Sequence, residues 1–222
     1  MKRIDLNVDI GEGFPVDAEL LQFATSANVC CGVHAGSSEL TGKTVELAKR
    51  LRVRVGAHPG FPDRESMGRR RPSEAEVRQF APSLMEQIAE FPEPTYVKPH
   101  GAFYNLLFET QSPESDLARE VVHEFSRQGF ALMLLPIGWA LDHQIRLIRE
   151  GFADRAYLPD GRLTPRSLPG AVLHDPEQIK RQVLELATTV DSICLHGDAP
   201  NCLEFAELVH KTLLDAGYEI GF

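Results

Sequence analysis

Four histidines sit in glycine-bearing turns: Cys31-Gly32-Val33-His34-Ala35-Gly36, His58-Pro59-Gly60, His100-Gly101 and His196-Gly197-Asp198. Imidazole exchanges protons near neutral pH and ligates divalent metals, and glycine lets backbone approach a ligand closely. Asp9 and Glu12 flank the Gly11 turn, and Asn28 lies shortly before His34. Carboxylates and imidazoles brought within reach of one another serve as general base and acid. The same groups can hold a metal, with Asp9, His34 and His58 as candidate ligands. No His-x-x-x-His or His-Glu-x-x-His occurs, so a metal site would depend on the fold. Lys98, beside Pro99-His100-Gly101, suits an anion or a pKa tuned by burial; the competing reading is a surface lysine. Two arginine groups fit carboxylate or phosphate: Arg69 and Arg70 with Arg71 after Gly68, and Arg155, Arg162 and Arg166 in a Gly/Pro-rich stretch. Solvated loops are the alternative, above all for Arg71 and Arg162.

Other chemistries find little support. Thr41-Gly42-Lys43-Thr44 has the end of a phosphate-binding loop, but the required first glycine falls on Ser37. Neither Gly-x-Ser-x-Gly nor Gly-x-Gly-x-x-Gly is present. Cys30, Cys31, Cys194 and Cys202 have no Cys-x-x-Cys spacing and no obvious activating base, which fits a reducing cytoplasm better than a disulfide framework.

Short apolar runs at residues 4–8, 25–30, 53–57, 96–98, 131–135 and 192–195 read as strands, with a weaker candidate around Val172. Helical stripes lie between them. Ser73-Glu74-Ala75-Glu76 forms a capping box before Val77, Phe80, Leu84 and Ile88, and Pro82 predicts a kink or a late start. Ser112-Pro113 and Asp175-Pro176 open two more helices. A stripe over residues 38–52 and another from Cys202 to Leu213 complete the set. Strands alternating with helices mean a parallel β/α architecture, either a doubly wound sheet or a barrel. Both gather the carboxyl ends of their strands at one rim, where the residues above fall. At 222 residues the chain is short for eight β/α units of about 250 residues, so a distorted barrel of about seven strands fits, as a single domain over 1–222. In the first strand Asp5, Asn7 and Asp9 share one face, which either projects into a pocket or marks a solvated edge. Residues 59–72 form a long aperiodic loop of the kind that often carries function.

Composition narrows the partners. Lys plus Arg is 23 against 32 Asp plus Glu, a net charge of −9, which argues against nucleic acid and anionic membranes. The most apolar stretch, residues 131–141, is too short to span a membrane and contains Pro136. Asp5 and Asp9 occupy the place of a signal-peptide apolar core, so a cytoplasmic location is expected.

Taken together, the blocks running from Asp5 to Gly13, Ser26 to Gly36, Gly56 to Asp63, Val97 to Asn105, Glu150 to Arg155 and Cys194 to Asp198 resemble the LamB/YcsF family of 5-oxoprolinase A subunits nearly end to end. One departure is Ser37, where the family usually has an acidic residue. The resemblance implies a distorted, incomplete (β/α) barrel, TIM-like and related to the glycoside hydrolase/deacetylase barrels. It further implies ATP-dependent hydrolysis of 5-oxo-L-proline to L-glutamate, with ATP and Mg as co-substrate and two partner subunits, B and C. For that chemistry Asp9, Glu12, His58, Lys98 and His100 are the candidate catalytic residues. Asn7, Asn28, His34, Arg69, Arg70, Arg155, Arg166, His196 and Asp198 are candidates for substrate binding. Two alternatives remain: a stand-alone metal-dependent deacetylase or amidohydrolase, and a non-catalytic substrate-binding subunit.

Overall fold

Ile4, Leu6, Val8 and Ile10 turn outward toward helices while Asp5, Asn7 and Asp9 turn inward, and both sets are buried. The strand that carries them is therefore no solvated edge. The structure, a computed structural model, describes residues 2–142, 145–198 and 201–222. Strands β1–β8 cover Lys2–Ile10, Ser26–Cys30, Arg54–His58, Tyr96–Val97, Ala131–Leu134, Leu147–Phe152, Ser192–His196 and Tyr218–Ile220. Helices α1–α8 cover Asp17–Leu20, Ser38–Arg50, Glu74–Ala89, Gly101–Leu106, Pro113–Arg127, Trp139–Asp142, Pro176–Leu186 and Cys202–Asp215.

Seven strands close a parallel barrel in the order β1-β2-β3-β4-β5-β6-β7, with β7 returning to β1. Among the described residues the eighth strand, β8, pairs only with Lys2–Ile4 at the start of β1. The register places Asp9 beside Asn28 of β2 and beside His196 of β7, and Cys30 beside His58 of β3. In parallel pairs, neighbours in register share a face, so these strand-end groups converge inside the rim. The interior is divided. Tyr96, Ala131 and Met133, with Ile148 against them, form a small apolar cluster, and the β1, β2 and β7 side is polar. The larger apolar core lies outside the barrel, between strands and helices.

Helix starts follow the expected chemistry. Ser73 and Glu76 form the reciprocal capping box of α3, which begins at Glu74 and runs through Pro82, so the late start is not seen. Ser112 caps α5 and Asp175 caps α7, each with proline in the first turn. Ser37 accepts a hydrogen bond from the Leu40 amide and caps α2, a structural use for the residue that departs from the family pattern. Ser73→Ala should cost about 1 kcal/mol of unfolding free energy, read from a denaturant midpoint.

Three strand expectations need correction, the first being β8, Tyr218–Ile220, which no apolar run marked. Leu147–Phe152 is a barrel strand that the apolar runs did not mark. Around Val172 there is no barrel strand, only an antiparallel bridge to Arg155. That bridge and a second one, Tyr157 to Leu163, fold the segment after β6 back on itself. Arg155 fastens it, donating from Nε to the Ala171 carbonyl at 3.1 Å and from Nη2 to the Thr164 carbonyl at 2.6 Å. Among the described residues no helix is long and apolar enough to cross a membrane.

Candidate active site

The floor of the site is a buried polar network rising through the barrel. At the bottom, Asp5 accepts hydrogen bonds from the hydroxyls of Thr25, Ser26 and Ser192 at 2.6, 2.7 and 2.5 Å. One layer up, Asn7 donates to Ser192 and accepts from Asn28, both at 2.7 Å. Asn28 in turn accepts from the Tyr96 hydroxyl at 2.6 Å. Above them Asp9 Oδ1 receives Asn28 Nδ2 at 2.7 Å and Lys98 Nζ at 2.8 Å. Asn7 and Asn28 therefore orient Asp9 from beneath.

Lys98 is a buried cation, not a surface lysine. Its ammonium lies 2.8 Å from Asp9 and 2.7 Å from Glu150 Oε1. Burial works against the ammonium, but Asp9, the Cys194 sulfur and Glu150 push its pKa well above the ordinary lysine value. Burial would likewise raise Asp9; Lys98 and His58 overcome it and hold that carboxyl well below its usual range. With one lysine between two carboxylates, Glu150 takes the excess. Burial pushes its pKa up, Lys98 counters only part of that, and the Tyr104 hydroxyl donates to it at 3.0 Å. Burial pushes the Cys194 thiol well up as well, so this sulfur is a poor nucleophile.

Next to Asp9 stands a cluster of imidazoles. The rings of His34 and His100 stack at 3.8 Å between centroids with planes 2° apart, and His58 meets His100 edge-on at 4.8 Å. Two glycines make this possible. A side chain at Gly60 would lie 2.5 Å from His34 Nδ1, and Gly101, at φ +55°, approaches the Gly68 carbonyl too closely for any other residue. Glu12 joins the cluster with Oε1 at 3.4 Å from His34 Nε2 and 3.6 Å from His100 Nδ1. Burial, His34 and His58 hold His100 well below the usual imidazole range. Burial lowers His34, but the Cys30 sulfur and the Glu12 carboxylate beside it outweigh that and raise its pKa to about 9.

These groups open onto a cavity of about 560 Å³ lined by Asp9, His58, Lys98, His100 and His196 below, and by α4 and the segment after β6 around it. Arg69, Arg155 and Arg166 stand on its wall. Arg69 pairs with Asp198 at 2.6 Å, whereas Arg166 lies 3.8 Å from the same carboxylate. Burial and the neighbouring Arg166 bring the Arg155 pKa down to about 10. His196 is held through Nδ1 by both oxygens of Asp154, at 2.8 and 2.9 Å. Burial would raise Asp154, but His196 holds it below its ordinary value. A carboxylate so placed fixes the tautomer and leaves the other ring nitrogen for proton transfer.

The structure brings together Asp9, His58, Lys98, His100, Arg69, Arg155, Arg166, His196 and Asp198 in or beside the cavity. Others lie elsewhere. Arg70 points away, paired with Glu76 at 2.8 Å and Asp63 at 3.9 Å. Asn7 and Asn28 lie below the floor, and His34 and Glu12 sit behind His100. Arg71 and Arg162 line the cavity while pairing with Glu109 and Asp160. The suggested ligands fall in two adjoining groups, His34 and His58 with Glu12 and His100, and Asp9 with Cys194 and His196, joined where His58 Nε2 lies 3.5 Å from Asp9 Oδ2. Within each group the donor atoms lie within 4.8 Å of one another. Sequence reasoning passed over Glu150, Asp154, Tyr96 and Tyr104 as site residues. The Asp154-Arg155 pair at the end of a conspicuous block was the available signal. Thr41-Gly42-Lys43-Thr44 lies within α2, with Lys43 exposed and paired to Glu39, so it cradles no phosphate.

Comparison with known proteins agrees with this geometry. The LamB/YcsF family model matches residues 4–221. A protein from Pyrococcus furiosus, named as the A subunit of 5-oxoprolinase, is 38% identical, covering 98% of this chain and 96% of that protein. One of the same name from Haemophilus influenzae strain PittEE is also 38% identical, with 96% of each chain covered. The crystal structure of a lactam utilization protein from Thermus thermophilus superposes with a TM-score of 0.79 at 34% identity over 99% of both chains. The catalytic domain of a peptidoglycan N-acetylglucosamine deacetylase from Eubacterium rectale shares the fold, with a TM-score of 0.57 at 14% identity over 99% of this chain and 87% of that one. The chain belongs to the LamB/YcsF family.

Proposed function

We propose that this chain is the A subunit of an ATP-coupled 5-oxoprolinase, working in the cytoplasm with subunits B and C to hydrolyse 5-oxo-L-proline to L-glutamate. The observation that carries this reading is the end-to-end similarity to proteins named as 5-oxoprolinase A subunits. The site supports it. A small cyclic amide bearing a carboxylate needs an anion anchor on one side and a proton acceptor on the other. The arginine wall and the Asp9 floor supply them.

The lactam is a resonance-stabilised amide and a poor electrophile. ATP supplies a phosphoryl group to the lactam oxygen, which makes the ring carbon attackable, and leaves as ADP and phosphate. This chain's own residues do the rest. Asp9, kept ionised by Lys98, takes a proton from the attacking water through Oδ2, which lies 3.5 Å from His58 Nε2, since Oδ1 is occupied by Asn28 and Lys98. His196, oriented by Asp154, delivers a proton to the nitrogen released when the carbon–nitrogen bond breaks. The two residues are neighbours in register across β1 and β7, which places base and acid on one side of the substrate.

Of the wall arginines, Arg69 is closed onto Asp198 at 2.6 Å and Arg155 holds backbone carbonyls, so Arg166, held more loosely at 3.8 Å from Asp198, anchors the substrate carboxylate. Arg166→Ala should raise KM about 10-fold or more with kcat little changed, in steady-state glutamate assays. The reading as a whole is tested by glutamate release from 5-oxo-L-proline with Mg-ATP, comparing this chain, the partner subunits and the mixture. Glutamate with matching ADP is expected only in the mixture. Silence in every tube, with folded partners, rejects the reading. Glutamate from this chain without ATP identifies a stand-alone amidohydrolase instead.

A further inference from the structure

The imidazole cluster poses a problem of proton placement. His58 Nδ1 lies 2.7 Å from the Lys98 carbonyl and His100 Nε2 lies 2.7 Å from the Met67 carbonyl. Carbonyl oxygens only accept, so each ring carries its hydrogen there. Neutral rings then turn lone pairs toward each other, His58 Nε2 against His100 Nδ1 at 2.9 Å, with Asp9 Oδ2 a further acceptor 3.5 Å from His58 Nε2. His34 follows the same plan. Its Nδ1 is 3.9 Å from the Cys30 sulfur, whose thiol donates to the Ala35 carbonyl at 3.3 Å and leaves the sulfur to accept. The other nitrogen, His34 Nε2, and Glu12 Oε1 are buried 3.4 Å apart, and among the described residues neither makes a hydrogen bond.

Four donor atoms thus face one point: His34 Nε2, His58 Nε2, His100 Nδ1 and Glu12 Oε1, all within 4.8 Å of one another. A buried polar atom without a partner costs about 1–3 kcal/mol, and opposed lone pairs add to that. A proton on His34, which its raised pKa supplies, answers Glu12 but leaves His58 Nε2 and His100 Nδ1 opposed, while a proton shared by those two leaves Glu12 and His34 as they are. A cation at the centre settles all four. The spacing agrees: a tetrahedron with bonds of about 2.0–2.1 Å has edges of about 3.3–3.4 Å. The observed Glu12 contacts are 3.4 and 3.6 Å, while His58 and His100 stand closer, at 2.9 Å, and would part slightly around an ion. Each ring is also backed by an acceptor on its far side, the arrangement that orients metal-binding histidines.

We propose that Glu12, His34, His58 and His100 form a binding site for one divalent transition-metal ion. Three imidazoles and a carboxylate select zinc or a first-row neighbour over magnesium or calcium. The site extends beyond the lactam-opening reading and rests on geometry alone. An ion there supplies positive charge at the edge of the cavity floor, where an oxyanion would develop.

The test uses the untagged full-length chain, stripped with a chelator and titrated with Zn²⁺ and with Co²⁺. Elemental analysis should give one ion per chain, and the Co²⁺ form should show the intense visible bands of low coordination. Glu12→Gln and His100→Gln should each weaken binding about 10-fold or more, and His174→Gln, a change at an exposed histidine, should bind as the parent does. X-ray absorption of the parent's Zn²⁺ form, which needs no variant to fold, should report three imidazole nitrogens. Absence of stoichiometric uptake by the folded parent overturns the proposal, as does a spectrum with fewer than two imidazoles. Unchanged binding in folded Glu12→Gln and His100→Gln chains places the ion elsewhere and overturns it too. None of these readouts involves glutamate release, so failure here is separate from failure of the lactam reading.

Discussion

Lys98→Met should lower stability by about 3–5 kcal/mol, a drop of roughly 10 °C in Tm for a chain of this size, and abolish glutamate formation. The substitution keeps the length of the side chain but strands two buried carboxylates, Asp9 and Glu150, without their shared cation. The control is Glu150→Gln, which leaves the Asp9–Lys98 pair balanced and keeps an acceptor for Tyr104. It should cost far less. Its pH dependence has a definite sign. Because burial raises the Glu150 pKa, the folded chain holds this proton more tightly than the unfolded chain does. Wild-type stability from this group therefore falls as pH rises from the unfolded value, about 4.3, through the raised folded value. Across that window Glu150→Gln should gain on the wild type, measured by denaturant unfolding at a series of pH values. Equal losses for the methionine and glutamine variants would show that packing, not charge, makes Lys98 matter.

Asp9→Asn should reduce kcat about 10²–10⁴-fold while KM changes little. Asparagine is isosteric, its oxygen can still receive Asn28 and Lys98, and Glu150 remains to balance the lysine. The variant should fold, which a thermal melt checks. What it lacks is a carboxylate to take the proton of water. Glutamate release at the wild-type rate would remove Asp9 as base. A loss of substrate affinity in step with turnover would point to a binding subunit whose chemistry lies in its partners.

Much of this site was visible in the chain before it was folded. Parallel strands deliver their carboxyl ends to one rim, so Asp9, His58, His100 and His196, each at or after an apolar run, had to meet. The alternation of β1 was equally legible, though whether its polar face was wet or buried depended on neighbours from residues 26–30 and 192–196. The hidden parts share a cause. In β6, Arg149 faces outward to Asp191 and Glu150 faces inward to Lys98, so the strand reads as a charged segment. Only the closed barrel supplies the cation that makes a buried Glu150 tolerable. Arg70 shows the reverse: three arginines in a row are alike in sequence, yet the capping box draws this one to Glu76. Which nitrogen of each histidine is free also depends on carbonyls far away in sequence, such as that of Lys98 for His58.

The closing seam between β1 and β7 gives the site an order of birth. Asp5 and Ser192, which bond across it, are separated by 187 positions. At 5–20 residues per second, a ribosome that has finished β1 needs roughly ten to forty seconds to deliver β7. Throughout that interval Asp5, Asn7 and Asp9 have no far wall, and a strand with one polar face cannot be sealed in oil. The residues that form the polar floor of the cavity are thus among the first made and the last to find their partners across the seam. The seam is a contact of very long sequence separation, so closing it is the slow kind of event in folding, whereas helix formation is local. A ribosome-stalled chain ending before β7 should bind neither substrate nor metal, however much of its helix content is already in place.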